Sequence, residues 1–326
     1  MIRASQHRVV AVVGTGVVGR SWMRVFARAG LETRIWDLDP VQTDLAWDWY
    51  KLDQKRIRKQ GGMRKAVARN ERSNVIRCDD LAEALAGATW VQESCPENLE
   101  TKRAVFADLD RLADPKAVLA SSTASLDMTL IAEGLAGAGR CLVAHPVNPP
   151  HVIPLVEVLG GQRTDPLAVR RAIRFLERVG QTPVLLRRYA PGFLLNRLQA
   201  ALLREALHLV ATGVARADAI ETVVKDGLGL RWAFLGPFDV PNTNADGGIR
   251  EYFARRGDVL GALWDDLGKG NPLTPELIER VGETLDAMHR QVAPENLREW
   301  RDDMIVRLRR LKAMHPPGGE PEPEEE

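Results

Sequence analysis

Cysteine is scarce in this sequence. Among 326 residues only Cys78, Cys95 and Cys141 occur, in no C-x-x-C spacing, so neither a disulfide framework nor a metal site is expected. A reducing compartment, the cytoplasm, fits such thiols. Charge of one sign is not in surplus either: 45 Lys and Arg stand against 44 Asp and Glu, which removes the electrostatic reason to expect nucleic acid or an acidic membrane as partner. No stretch approaches the ~18 uninterrupted apolar residues of a membrane span. Residues 1–8 are short and polar and lack the three-part pattern of a signal peptide. What is present is 45% hydrophobic residues over a length that suits two cores, and the expected ligand is small.

The apolar residues are grouped in short runs. Residues 9–13 form a continuous β-branched and apolar run ending at Gly14, the pattern of a strand buried on both faces. Further runs at 33–36, 89–92, 117–120, 141–144 and 155–159 are mostly separated by helical stretches, and this alternation predicts a doubly wound, mostly parallel α/β sheet. A helix over 162–179, with Asp165 and Pro166 as cap and first-turn residue, and a last strand near 183–186 complete a first domain over 1–189. Beyond Pro191 and Gly192 the pattern is helical, giving an all-α domain over 190–315; Thr274, Pro275 and Glu276 start one of its helices. The stretch 193–210 is apolar around most of its surface while carrying Arg197, Arg204 and Glu205, so a partner subunit is expected to cover part of it, as in a homodimer. Residues 316–326 are a Pro, Gly and Glu tract, read as a disordered acidic tail.

Gly14-Thr15-Gly16-Val17-Val18-Gly19 follows the first strand and opens a helix. In that context G-x-G-x-x-G has a physical meaning: the first glycine makes the tight turn, the second admits a pyrophosphate, and the third packs helix on strand. Gly14, Gly16, Val17, Val18 and Gly19 are then dinucleotide contacts, with the pyrophosphate on the helix N-terminus. Asp37, at the end of the second strand, can accept both ribose hydroxyls and would repel the extra phosphate of NADP, so the expected cofactor is NAD and the domain a Rossmann fold.

His145 stands at the end of the run 141–144, where open α/β sheets place their ligands, and Glu157 is an acid inside an otherwise apolar strand, which needs a partner. Together with Cys95-Pro96-Glu97-Asn98-Leu99, Gly192-Phe193-Leu194-Leu195-Asn196-Arg197 and Asp226-Gly227-Leu228-Gly229-Leu230-Arg231, these motifs resemble the 3-hydroxyacyl-CoA dehydrogenase superfamily, most closely its branch containing lambda-crystallin and L-gulonate 3-dehydrogenase, from residue 9 to about 252. The resemblance implies NAD-dependent oxidation of a 3-hydroxyl group. His145 is then the general base, Glu157 holds its imidazole, and Asn196 adds a hydrogen bond to the reacting oxygen from the second domain. Glu97 and Lys102 are implied on the nicotinamide side of the cofactor.

One position departs from the family pattern. The residue two before Leu126, usually a serine that donates to the substrate oxygen, is Ala124. Loss of one such donor typically costs ~10² to 10³ in rate unless Ser122, Thr123, Ser125 or a water replaces it. Ala124 marks an introduced substitution, a substrate that does not need the contact, or a protein kept for binding rather than turnover. Arg231 beside Trp232 suits bidentate recognition of a carboxylate and favours a sugar acid or another short 3-hydroxy acid, including carnitine-like compounds. The basic run Lys55, Arg56, Arg58, Lys59, Arg64, Lys65 and Arg69 keeps a CoA thioester as the alternative.

Overall fold

In a computed structural model, residues 9–59, 65–270, 273–289 and 293–315 are described; the expected tail at 316–326 and Arg64 lie outside them. The chain divides into two compact units, Met1–Leu195 and Asn196–Glu326. The first is built on eight strands: β1 Val9–Val13, β2 Glu32–Trp36, β3 Val75–Arg77, β4 Trp90–Glu93, β5 Val118–Ser121, β6 Cys141–Pro146, β7 Leu155–Gly160 and β8 Thr182–Leu185. They form one sheet in the order β3-β2-β1-β4-β5-β6-β7-β8. Every neighbouring pair is parallel except β6 and β7. The order reverses between β1 and β4, which opens a crevice at their carboxyl ends, the usual place for a ligand in a doubly wound sheet.

The sequence pattern places seven of these strands to within a residue or two. It does not reveal β3, three residues long at the sheet edge, too short for a buried run to register. The helices α1 Val17–Arg28, α2 Pro40–Lys59, α3 Lys65–Ser73, α4 Leu81–Leu85, α5 Leu99–Leu112, α6 Met128–Ile131 and α7 Pro166–Arg178 cover the sheet. Helix α7 starts at Pro166 because the Asp165 carboxylate caps it, accepting from the Leu167 N–H at 2.7 Å; the residues from 162 that the pattern assigns to it form the turn before it. One core layer centres on Trp22, Phe26, Tyr50, Trp90 and Phe175, the last two stacked at 4.4 Å. The other gathers Phe106, Leu109, Met128 and Phe193.

Phe193 is part of the first compact unit, which runs to Leu195. Its side chain is fully buried in the first unit's core. It is reached through consecutive left-handed residues, Gly192 at φ 74° and Phe193 at φ 51°, the second a conformation that bulky residues rarely adopt.

The second unit is helical throughout its described residues: α8 Leu195–Ala211 is followed by helical segments that include Gly248–Asp266, Pro275–Met288 and Pro294–Met314. Thr274 caps its helix as the sequence suggests, its hydroxyl accepting from the Leu277 N–H at 3.2 Å. Its core among the described residues is small, formed by Val210, Ala217 and Leu277, while Leu198 and Phe238 are 67% and 72% exposed. No helix among the described residues is long and apolar enough to cross a membrane.

His151, between β6 and β7, is buried, and its ring is pushed down to about 2, first by burial and then by Arg24, Arg28, Arg56 and Arg20. An unfolded histidine takes up a proton near 6.5, so the folded state binds fewer protons below that pH; stability is complete above it and falls as the solution is acidified. Between pH 7 and 5 this single group removes about 2 kcal/mol of unfolding free energy. Urea unfolding at both pH values will show His151→Phe losing that much less than wild type; equal losses would mean that the folded imidazole is not held neutral.

Candidate functional site

The glycine loop has the geometry its spacing demands. Gly14 lies at φ 87°, and a Cβ there would meet the Ser94 backbone at 2.8 Å; a Cβ on Gly19 would lie 1.9 Å from the Gly14 carbonyl oxygen. Gly16 differs, since a Cβ there would meet nothing within 4 Å. Two glycines are thus required by the protein's own packing, and the middle one borders open space at the N-terminus of α1, as the approach of a pyrophosphate would need. Val17 is exposed and Val18 half-buried beside it. Asp37 closes the end of β2, half-buried, with its carboxylate accepting from the Thr15 N–H at 2.6 Å and the Thr15 hydroxyl at 3.2 Å. It ties the loop to the second strand and keeps acceptor capacity for ribose hydroxyls. These residues fit NAD.

His145 and Glu157 come together because β6 and β7 run antiparallel, which puts the two residues directly opposite each other. The His145 Nδ1 to Glu157 Oε2 distance is 2.8 Å, and the two side chains are only 9% and 2% exposed. The other oxygen, Oε1, accepts from the Leu194 and Leu195 N–H groups at 2.8 and 3.1 Å, presented by the left-handed turn at Gly192 and Phe193. A carboxylate holding two backbone donors acts as acceptor toward the ring as well, so Nδ1 is the nitrogen that donates to Glu157 and Nε2 is not engaged by it. The Phe193 ring packs 5.5 Å from the imidazole and Tyr189 lies edge-on against Phe193, which leaves the histidine little rotational freedom.

A second buried pair lies under the segment after β5. Lys102, 1% exposed, binds Glu93 Oε1 at 2.8 Å and the Cys95 carbonyl at 3.2 Å, with Glu97 Oε2 at 3.6 Å. Glu97 Oε1 accepts from the Thr123 hydroxyl at 2.6 Å, the Ala124 N–H at 2.9 Å, and the Ser125 N–H and hydroxyl at 3.0 and 2.9 Å. Burial alone would raise the Glu97 carboxyl, but the Thr123 hydroxyl, the Lys102 ammonium, the Ser125 hydroxyl and the Ala124 N–H together hold it below the ordinary carboxylate range. Glu97 and Lys102 therefore fix the shape of the 123–125 segment. Glu93 was not singled out from sequence because the run there ends at Gln92; an acid in a buried strand, the signal that exposed Glu157, would have found it.

A count of protons shows what Ala124 leaves behind. A hydroxyl has one hydrogen to donate. Ser121 gives its hydrogen to Glu93 at 2.5 Å, and Thr123 and Ser125 give theirs to Glu97. Ser122 differs: it accepts from the fully buried Gln92 amide at 2.8 Å and lies 2.9 Å from the Ser94 hydroxyl, so its own hydrogen is not held by a carboxylate. The same Gln92 amide reaches the carbonyl of Ala144, next to His145, at 3.3 Å, while its oxygen accepts from Trp90 Nε1 at 3.1 Å. Ser122 thus stands between the strand that carries His145 and Ser94, which backs the glycine loop.

Asn196 is the second residue of α8, and Arg231 lies in the short helix Gly229–Trp232, both in the second unit. The three thiols are free and inert, each pushed up chiefly by burial, Cys78 to about 11 and Cys95 and Cys141 to about 12. No cluster of His, Cys, Asp or Glu suited to a metal ion occurs among the described residues.

Comparison with known proteins gives the family of the chain. Residues 9–189 match the NAD-binding domain of 3-hydroxyacyl-CoA dehydrogenase, and residues 192–271 match its C-terminal domain. The chain is 37% identical to lambda-crystallin of Oryctolagus cuniculus over 94% of its own length and 97% of that protein. To an L-carnitine dehydrogenase of Pseudomonas aeruginosa it is 36% identical over 95% and 97%. Among solved structures it is similar to 5-formyl-3-hydroxy-2-methylpyridine 4-carboxylic acid 5-dehydrogenase, an NAD+-dependent dismutase, with TM-score 0.77 and 27% identity over 94% of this chain and 98% of that one.

Proposed function

Because the chain belongs to the 3-hydroxyacyl-CoA dehydrogenase family, as an NAD-dependent oxidoreductase, we propose that it oxidises the hydroxyl of a small 3-hydroxy acid of the sugar-acid or carnitine type, with His145 as general base. NAD, when bound, supplies the hydride acceptor. His145 takes the hydroxyl proton on Nε2, and Glu157 fixes the tautomer and stabilises the imidazolium that results. Ser122 replaces the missing serine at position 124 as a donor to the reacting oxygen, Asn196 gives a second hydrogen bond, and Arg231 grips the carboxylate. Asp37 receives the ribose hydroxyls, and Glu97 with Lys102 shapes the nicotinamide side through residues 123–125.

The observation that carries this reading is the His145–Glu157 contact at 2.8 Å, with the second Glu157 oxygen already satisfied by two amides. A small acid is favoured because two of the similar proteins are named for small carboxylates, carnitine and a pyridine carboxylic acid. The CoA thioester remains the second reading on the strength of exposed Lys55, Arg58, Lys65 and Arg69 on α2 and α3.

NADH formation from L-gulonate, L-carnitine, 3-hydroxybutyrate and 3-hydroxybutyryl-CoA distinguishes the readings. The expected result is a kcat/KM for one of the acids at least about tenfold above that for the thioester. The reverse order would assign the thioester, and no turnover with any of them would leave a dinucleotide-binding protein like lambda-crystallin. We further propose that the helical unit completes its small core by pairing with a second copy, in the cytoplasm; light scattering will then give twice the chain mass, and a monomer would refute it.

A further inference from the structure

Away from the His145–Glu157 pair, one flank of α1 gathers guanidinium groups around a buried imidazole. Arg20, Arg24 and Arg28 recur every fourth residue and share one helix face. Arg56 and Trp49 approach from α2, and His151 from the segment between β6 and β7. The His151 ring is edge-on to Trp49, centroids 5.5 Å apart, and the Arg20 guanidinium lies 4.9 Å over the same indole. Arg28 donates to the His151 carbonyl at 3.4 Å. Arg24 is bound to Asp53, and Arg56 donates to the other oxygen of that carboxylate at 3.2 Å. Glu71, deeper in, is held by Gln54 at 3.1 Å and Tyr50 at 3.5 Å.

Asp53 is therefore divided between two arginines, while three buried nitrogen atoms of the cluster have no partner at all: Nε of Arg20, Nε of Arg24 and Nδ1 of His151. Arg24 and His151 are themselves more than nine-tenths buried. Unpartnered buried nitrogen and several cationic side chains facing one buried imidazole are both unfavourable, and a bound group is one way in which native structures relieve them. The group that relieves both is an oxyanion. A carboxylate, with one charge and two oxygens, is matched by a single guanidinium fork; several forks converging from two helices match the greater charge and the three outward oxygens of a phosphate.

We infer that Arg20, Arg24, Arg28 and Arg56, with His151 and Trp49, form a binding site for a phosphate group, either free phosphate or the phosphate end of a larger ligand. This site goes beyond the proposed reaction and does not depend on it. His151 lies six residues beyond His145 on the segment that leaves β6, so an occupant here touches the same stretch of chain as the base.

Arg20 follows Gly19 directly, so the test must keep the dinucleotide cradle filled. Inorganic phosphate is titrated calorimetrically into the NAD-saturated protein, with chloride at equal ionic strength as control, and the titration is repeated with Arg28→Gln/Arg56→Gln. The expected result is saturable binding in wild type and at least about tenfold weaker binding in the double variant, which loses two charge-assisted contacts. Absence of phosphate binding under NAD saturation, or equal affinity in both proteins, would overturn the inference. Should the double variant lose its NAD affinity and so prove misfolded, Arg28→Gln alone, at an exposed residue, is read by the same criterion. Displacement of phosphate by coenzyme A would identify the phosphate end of a larger ligand, and binding that coenzyme A leaves unchanged would identify free phosphate.

Discussion

His145→Gln is expected to lower kcat for NADH formation by about 10²- to 10⁴-fold, the range a positioned general base contributes, while NAD affinity stays at the wild-type value. The size follows from geometry. Glu157 uses one oxygen on Nδ1 and the other on two amides, so the imidazole is held with its second nitrogen not engaged by that carboxylate. Glutamine keeps the strand pairing at 145 but has no basic nitrogen to offer. Steady-state rates alongside an NAD titration separate the two effects. A variant that turns over at the wild-type rate would mean that the hydroxyl proton leaves by another route.

Ser122→Ala is expected to lower kcat by about 10²- to 10³-fold, the cost of one donor to a developing oxyanion, with little change in the NAD requirement. The counterpart is Ala124→Ser, which restores the usual family hydroxyl. If Ser122 already fills the role, Ala124→Ser alone changes kcat little, whereas Ser122→Ala/Ala124→Ser recovers much of what Ser122→Ala loses. If Ala124→Ser alone raises kcat by about 10²-fold or more, the donor is truly missing and Ser122 serves only to hold Gln92 and Ser94. Recovery in the double variant is the informative measurement, because a side chain that merely packs would not be rescued from two residues away.

Much of this site can be read in the sequence, for reasons that differ from residue to residue. Strands buried on both faces are continuous apolar runs, so β1 and β4 to β7 stand out, and an acid within one, Glu157, stands out further. Gly14, Gly16 and Gly19 are legible because each answers a separate steric demand of the turn. Spacing does not state the sense of a strand pair. The antiparallel step from β6 to β7 that sets His145 opposite Glu157 emerges only from the fold. Lys102 has the composition of a solvated helix residue, yet it is buried on Glu93, a partner nine residues earlier that no helix periodicity connects to it. The four hydroxyl residues from 121 to 125 look interchangeable on paper, and only their assigned acceptors single out Ser122. His151 looks like an ordinary loop residue until Arg20, Arg24 and Arg28 surround it, since its environment is contributed by segments more than a hundred positions away.

The double duty of Glu157 also limits how the sequence can drift. An aspartate at this position would be one methylene short of either the imidazole or the two amides of Leu194 and Leu195. A glutamine has the right length, but its NH₂ must face one of those two sets of donors. Turned toward the amides, it opposes two N–H groups with a third; turned toward the ring, it forces the proton of His145 onto Nε2 and removes the lone pair. Neither near neighbour of glutamate in size or shape reproduces both sets of contacts, so position 157 tolerates no substitution that leaves the imidazole and the two amides held together as they are.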